Sequence, residues 1–134
     1  MSPELVFFYG TLMTPFHRSA RQRIDQHLSY RGSGTIEAAL FDLGIYPAAV
    51  PVSGEHVHGE LYEMRHPTIV LRTLDELEGH RPGEPEKSLY TRTRTRVRLD
   101  DGTEARAWAY FYNAPLGRAE RIESGDYLEH LTRR

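Results

Sequence analysis

Cysteine is absent from the 134 residues, which excludes disulfides and thiolate zinc sites and gives an oxidising compartment no support. Lysine is nearly absent: Lys87 is the only one, so the cations are almost all arginine. Seventeen basic side chains stand against 19 acidic ones, and the formal net charge of −2 is too balanced for a broad nucleic-acid footprint. Long apolar runs are missing. The run at the start, Leu5-Val6-Phe7-Phe8-Tyr9, is short, has no basic leader and stops at Gly10. Neither a signal peptide nor a membrane span is expected, and a soluble, cytoplasmic protein is. Repeats, low-complexity tracts and dividing linkers are lacking, so one domain over residues 1–134 is expected, large enough to bury a core without staples.

What is present reads as alternating strands and helices. The opening apolar run predicts a buried strand. Thr14 followed by Pro15 predicts a helix N-cap, with Phe16, Ala20, Ile24 and Leu28 recurring every four residues behind it. Gly32-Ser33-Gly34 reads as a break, Thr35 to Leu43 as a strand, Gly44 to Pro47 as a turn and His56 to Met64 as another strand. Pro67 opens a second helical pattern in which Ile69, Val70, Thr73, Leu74 and Leu77 share one side, and Gly79 stands where a C-terminal glycine belongs. Residues 81–88 read as an exposed loop. From Tyr90, threonines 91, 93 and 95 with Val97 and Leu99 alternate with arginines 92, 94, 96 and 98; Asp101-Gly102 predicts a hairpin and Ala105 to Tyr112 the returning strand. The order β-α-β-β-α-β-β with a tail, and helices too few to cover both sheet faces, predict an α+β fold. A small mixed, mainly antiparallel β-barrel or roll with two main helices fits best.

Two places carry candidate chemistry. Where the first strand ends in glycine, the backbone N–H groups of residues 10 to 12 are placed to face a small anion or carboxylate, although the same string also reads as a tight turn. Glu78 stands at a helix C-terminus, where the macrodipole disfavours a carboxylate by roughly 0.3–1 kcal/mol. Leu74 and Leu77 stand near enough on the buried side to desolvate it, and a desolvated carboxyl has a raised pKa and both accepts and donates a proton near neutrality, although the same residue also reads as a solvated acidic helix end. Asp75 and Glu76 read as surface charges. His56 and His58 share a strand face with Glu60, but that spacing arises readily by chance and no metal site is expected. The arginines at 92, 94, 96 and 98, with Trp108 and Tyr110 facing them as stacking platforms, are the competing signal for nucleic acid. An outward face whose arginines lie over aromatics and pair with carboxylates is the simpler reading.

Tyr9-Gly10-Thr11-Leu12, Leu43-Gly44-Ile45-Tyr46-Pro47-Ala48, Val57-His58-Gly59-Glu60-Leu61-Tyr62, Leu74-Asp75-Glu76-Leu77-Glu78-Gly79 and Tyr90-Thr91-Arg92 stand in the order and approximate spacing of the γ-glutamylcyclotransferase-like family. The chain resembles that family from residue 5 to about 112, and Ser124-Gly125-Asp126-Tyr127 is similar to its tail. The resemblance implies a barrel-like fold whose cavity receives a γ-glutamyl group. Glu78 would be acid and base, Gly10, Thr11 and Leu12 the substrate-binding loop, and Tyr9, Tyr46 and Tyr90 further substrate-binding residues. It implies a small-molecule substrate and no cofactor or metal. A binding protein that keeps the cavity without turnover is the alternative. One departure touches substrate identity: Met13-Thr14-Pro15-Phe16 follows the loop where relatives commonly carry a basic residue and soon a glycine.

Overall fold

The computed structural model describes residues 3–13, 19–44 and 46–133. Strand β1 (Leu5–Phe8) is buried at all four positions, as a continuous apolar run requires when neighbours flank a strand on both edges. It pairs antiparallel with β3 (Pro47–Met64), placing Leu5 opposite Glu63 and Phe8 opposite Glu60, and parallel with β5 (Glu104–Tyr112) at Val6 and Trp108. The remaining pairings are antiparallel. β4 (Tyr90–Leu99) forms the expected hairpin with β5, and β2 (Leu28–Asp42) joins β4 to β3. The circuit β3-β1-β5-β4-β2 returns to β3, closing a five-stranded mixed barrel; the short β6 (Glu120–Arg121) adds to the end of β2. The α+β barrel is thus the predicted one.

Among the described residues, three α-helices accompany it: α1 (Ser19–Gln22), α2 (Pro67–Glu78) and α3 (Tyr127–Thr132). The predicted cap at Thr14 and Pro15 lies outside the described residues. The first helical pattern does not reach Leu28: a 3-10 turn at Asp25–His27 follows α1, and Leu28 opens β2. Nor does the chain break at Gly32-Ser33-Gly34, where β2 continues with only a register shift between Tyr30 and Gly32. Gly34 is needed there because β4 passes so close that a Cβ would collide with the backbone at Arg98 and come within 3.0 Å of the Leu99 Cα. β3 likewise begins at Pro47 rather than His56, with its register skipping residues 52–55.

Helix α2 matches its sequence pattern at both ends. Pro67 occupies the first turn, and Gly79 adopts φ 69°, the left-handed cap conformation. Val70 and Leu74 are fully buried, each side chain contributing roughly 1.5–3 kcal/mol. Ile69, expected on the same face, is half exposed. Asp75, read as a surface charge, is buried instead, whereas Glu76 is exposed. No helix of the described residues is long and apolar enough to cross a membrane.

Candidate active site

The topology gathers one end of the barrel. β1 and β5 are parallel, so their C-terminal ends lie together; β3 and β4 run against them and contribute their N-terminal ends. The end of β1, the turn into β3, the start of β4 and the end of α2 enclose a cavity of about 120 Å³. That is room for a small organic molecule, several times the space one water needs. All seven residues named from the sequence line it: Tyr9, Gly10, Thr11, Leu12, Tyr46, Glu78 and Tyr90. Phe7, Phe8, Pro47, Leu77, Leu89 and Tyr110 complete the wall. Glu78 is half-buried and is the one carboxylate among these residues.

The tyrosines hold the wall together. The Tyr9 hydroxyl donates to the Tyr110 carbonyl at 2.6 Å and accepts the Ala49 N–H at 3.3 Å, tying the end of β1 to β5 and β3. The Tyr90 hydroxyl donates to the Pro47 carbonyl at 2.8 Å, and its ring meets Tyr46 edge-on at 6.2 Å. Both hydroxyls are therefore occupied by backbone partners. Burial, followed by the charge of Glu78, pushes the Tyr9 phenol well above its ordinary value. Burial also leads for Tyr90, with Tyr9 and then Glu78 adding to it. Burial and the hydrogen bond to Asp75 do the same for Tyr110.

A pH dependence follows from these three phenols. Their folded pKa values lie above the ordinary 10.0, so on raising the pH the unfolded chain gives up its protons first. The stability they confer is complete below pH 10 and falls as the pH rises beyond it. In an alkaline titration, three of the eight tyrosines should ionise only as the fold is lost, with their phenolate absorbance rising together with the loss of circular dichroism. Ionisation of all eight in the intact protein would contradict this.

The loop after β1 is fastened from two sides. The Met13 N–H donates to the Gly10 carbonyl at 3.0 Å, and Arg21 Nη1 donates to the Leu12 carbonyl at 2.8 Å. Arg21 also packs over the Tyr62 ring at 4.3 Å and pairs with Asp25. Gly10 lies against Pro47: a Cβ there would stand 2.8 Å from Pro47 Cγ and 3.2 Å from Cδ, atoms of a ring that cannot rotate away. Gly10→Ala is therefore expected to lower stability by about 1–3 kcal/mol and to displace the loop. Thermal unfolding measures the first effect and a crystal structure of the variant the second.

Two residues have roles the sequence did not reveal. Asp75 accepts Arg92 Nε at 2.8 Å, Arg92 Nη2 at 3.1 Å and the Tyr110 hydroxyl at 2.6 Å. Tyr110, a stacking platform only in the competing nucleic-acid reading, is buried and lines the cavity. The signal available for Asp75 was its position three residues before Glu78, which places both on one helix face. The arginine ladder proves uneven. Arg92 and Arg94 each lie 4.7 Å from the Trp108 ring, and Arg94 pairs with Glu4, whereas Arg96 reaches Glu104 only at 3.9 Å. His56 and His58 are exposed on β3. Among the described residues the group with metal-ligand proximity is Asp42, Glu120 and His130, in which His130 Nε2 and Asp42 Oδ2 are 2.9 Å apart.

Comparison with known proteins adds independent information. The family described as gamma-glutamyl cyclotransferase, AIG2-like, matches residues 6–129. The gamma-glutamylcyclotransferase family protein YtfP of Escherichia coli K12 is 34% identical over 125 residues, covering 92% of this chain and 96% of its own. The solution structure of ytfP from Escherichia coli superposes with a TM-score of 0.65 at 31% identity, covering 94% of this chain and 97% of that one. A mouse aig2-like protein has the same fold, with a TM-score of 0.67 at 24% identity, covering 94% of this chain and 90% of its own.

Proposed function

Because the chain belongs to the gamma-glutamyl cyclotransferase, AIG2-like family, we propose that it converts γ-glutamyl amides into 5-oxoproline and a free amine, with Glu78 as acid and base. The observation that supports this reading is the shared cavity: Glu78, at the end of α2, lines the same space as residues 9–12, at the end of β1. In a γ-glutamyl amide the α-amine and the γ-carbonyl belong to one molecule, so the substrate supplies its own nucleophile. Held curled, it gains an effective molarity on the order of 10⁵ M or more.

The α-amine nitrogen bonds to the γ-carbonyl carbon, closing the five-membered lactam, and the amide C–N bond breaks. Glu78 as carboxylate takes the proton lost by the attacking nitrogen and delivers it to the leaving amine, which departs poorly without it. Residues 10–12 receive the γ-glutamyl end, through either its α-carboxylate or the developing oxyanion. Tyr9 and Tyr90 take no part in proton transfer. Their hydroxyls bond to backbone carbonyls and their phenols stay protonated, so they shape the wall.

The test is incubation with a panel of γ-glutamyl amino acids, γ-glutamyl amines and ε-(γ-glutamyl)lysine, followed by detection of 5-oxoproline. Release from at least one is expected. A panel member that binds while none is turned over would make the protein a non-catalytic binding protein of this fold.

A further inference from the structure

The last turn of α2 is fastened by polar contacts where an apolar side chain would be the ordinary choice. One turn earlier, Val70 and Leu74 pack with no exposure, and apolar contacts of that kind are non-directional. Asp75 instead gathers Arg92 from β4 and the Tyr110 hydroxyl from β5. Beside it, the Arg92 N–H donates to His80 Nδ1 at 3.2 Å, while the Gly79 and His80 N–H groups both donate to the Asp75 carbonyl. Asp75 and Glu78, three residues apart, project from the same side of this turn. Tyr110 lines the cavity with Glu78, and its carbonyl accepts the Tyr9 hydroxyl at 2.6 Å. One chain of bonds thus runs from Arg92 through Asp75 and Tyr110 to Tyr9.

We infer that Asp75 is a positioning residue for Glu78: its bonds to Arg92 and Tyr110 set where the end of α2 sits, and with it where the Glu78 carboxylate meets a substrate. The inference rests on the reading of Glu78 as acid and base. Its leverage is geometric, because a displacement of about 1 Å at a reacting group costs on the order of 10²-fold in rate.

The deciding variant is Asp75→Glu, which keeps the negative charge for Arg92 but moves the carboxylate by one methylene. Its crystal structure is expected to show the Glu78 carboxylate displaced by about 1 Å relative to the Tyr9 hydroxyl, with kcat down about 10–100-fold and KM within about threefold. Tyr110→Phe, which removes one donor and leaves the ion pair intact, should show a smaller loss in the same direction, and it carries the test should Asp75→Glu not fold. Arg94→Met, on the outer strand face, should retain full turnover. A Glu78 carboxylate that stays in place, or unchanged kcat in the folded variants, overturns the inference. Should the unaltered protein release no 5-oxoproline at all, the activity reading falls by itself, and the position of Glu78 in the variant crystal still decides the role of Asp75.

Discussion

If Glu78 is the proposed acid and base, replacing it by glutamine is expected to lower kcat for 5-oxoproline release by about 10²–10⁴-fold, the usual contribution of a placed acid–base group. The amide has nearly the shape of the carboxyl but neither takes nor delivers the proton. KM should change little, because glutamine still fills its part of a wall otherwise built from residues 7–12, the tyrosines and Leu77, Leu89 and Pro47. Stability should hold or rise slightly, since the variant removes a negative charge from a helix C-terminus, where the dipole penalises it by roughly 0.3–1 kcal/mol. Steady-state kinetics beside a thermal melt separate these effects. Undiminished turnover in the purified variant would remove Glu78 from the mechanism.

Arg92→Met is expected to destabilise the protein by about 3 kcal/mol, because removing one partner of a largely buried ion pair leaves the other charge uncompensated. The side chains of Arg92 and Asp75 retain 18% and 12% of their exposure, so the Asp75 carboxylate has little water to fall back on. The Arg92 guanidinium also leaves the face of Trp108. For a chain of this length the melting temperature should fall by roughly 10 °C. Arg94→Met, two residues along the same strand, should cost at most about 1 kcal/mol, as its pair with Glu4 is exposed. Equal losses at the two positions would refute the distinction.

The barrel was largely legible because its strongest elements are local. The apolar run of β1, the Pro67-to-Gly79 frame of α2 and the Asp101-Gly102 hairpin each carry their signal within a few residues. Glycines misled where they served a neighbour instead of a turn. Gly32-Ser33-Gly34 looks like punctuation, yet Gly34 is small because β4 crosses it, a contact between residues more than sixty positions apart. The early start of β3 was hidden for a similar reason, since residues 47–51 become strand by pairing with residues 38–42.

The candidate site divides along the same line. Local chemistry singled out residues 10–12 and Glu78 as candidates only, and it was the resemblance carried by the ordered motifs that joined Tyr9, Tyr46 and Tyr90 to them. Their convergence on one cavity, and the difference between Asp75 and Glu76, came only with closure of the barrel. The arginine ladder shows why. Strand alternation presents 92, 94, 96 and 98 as equivalent, and burial separates them, because α2 brings Asp75 to Arg92 and leaves Arg96 in water.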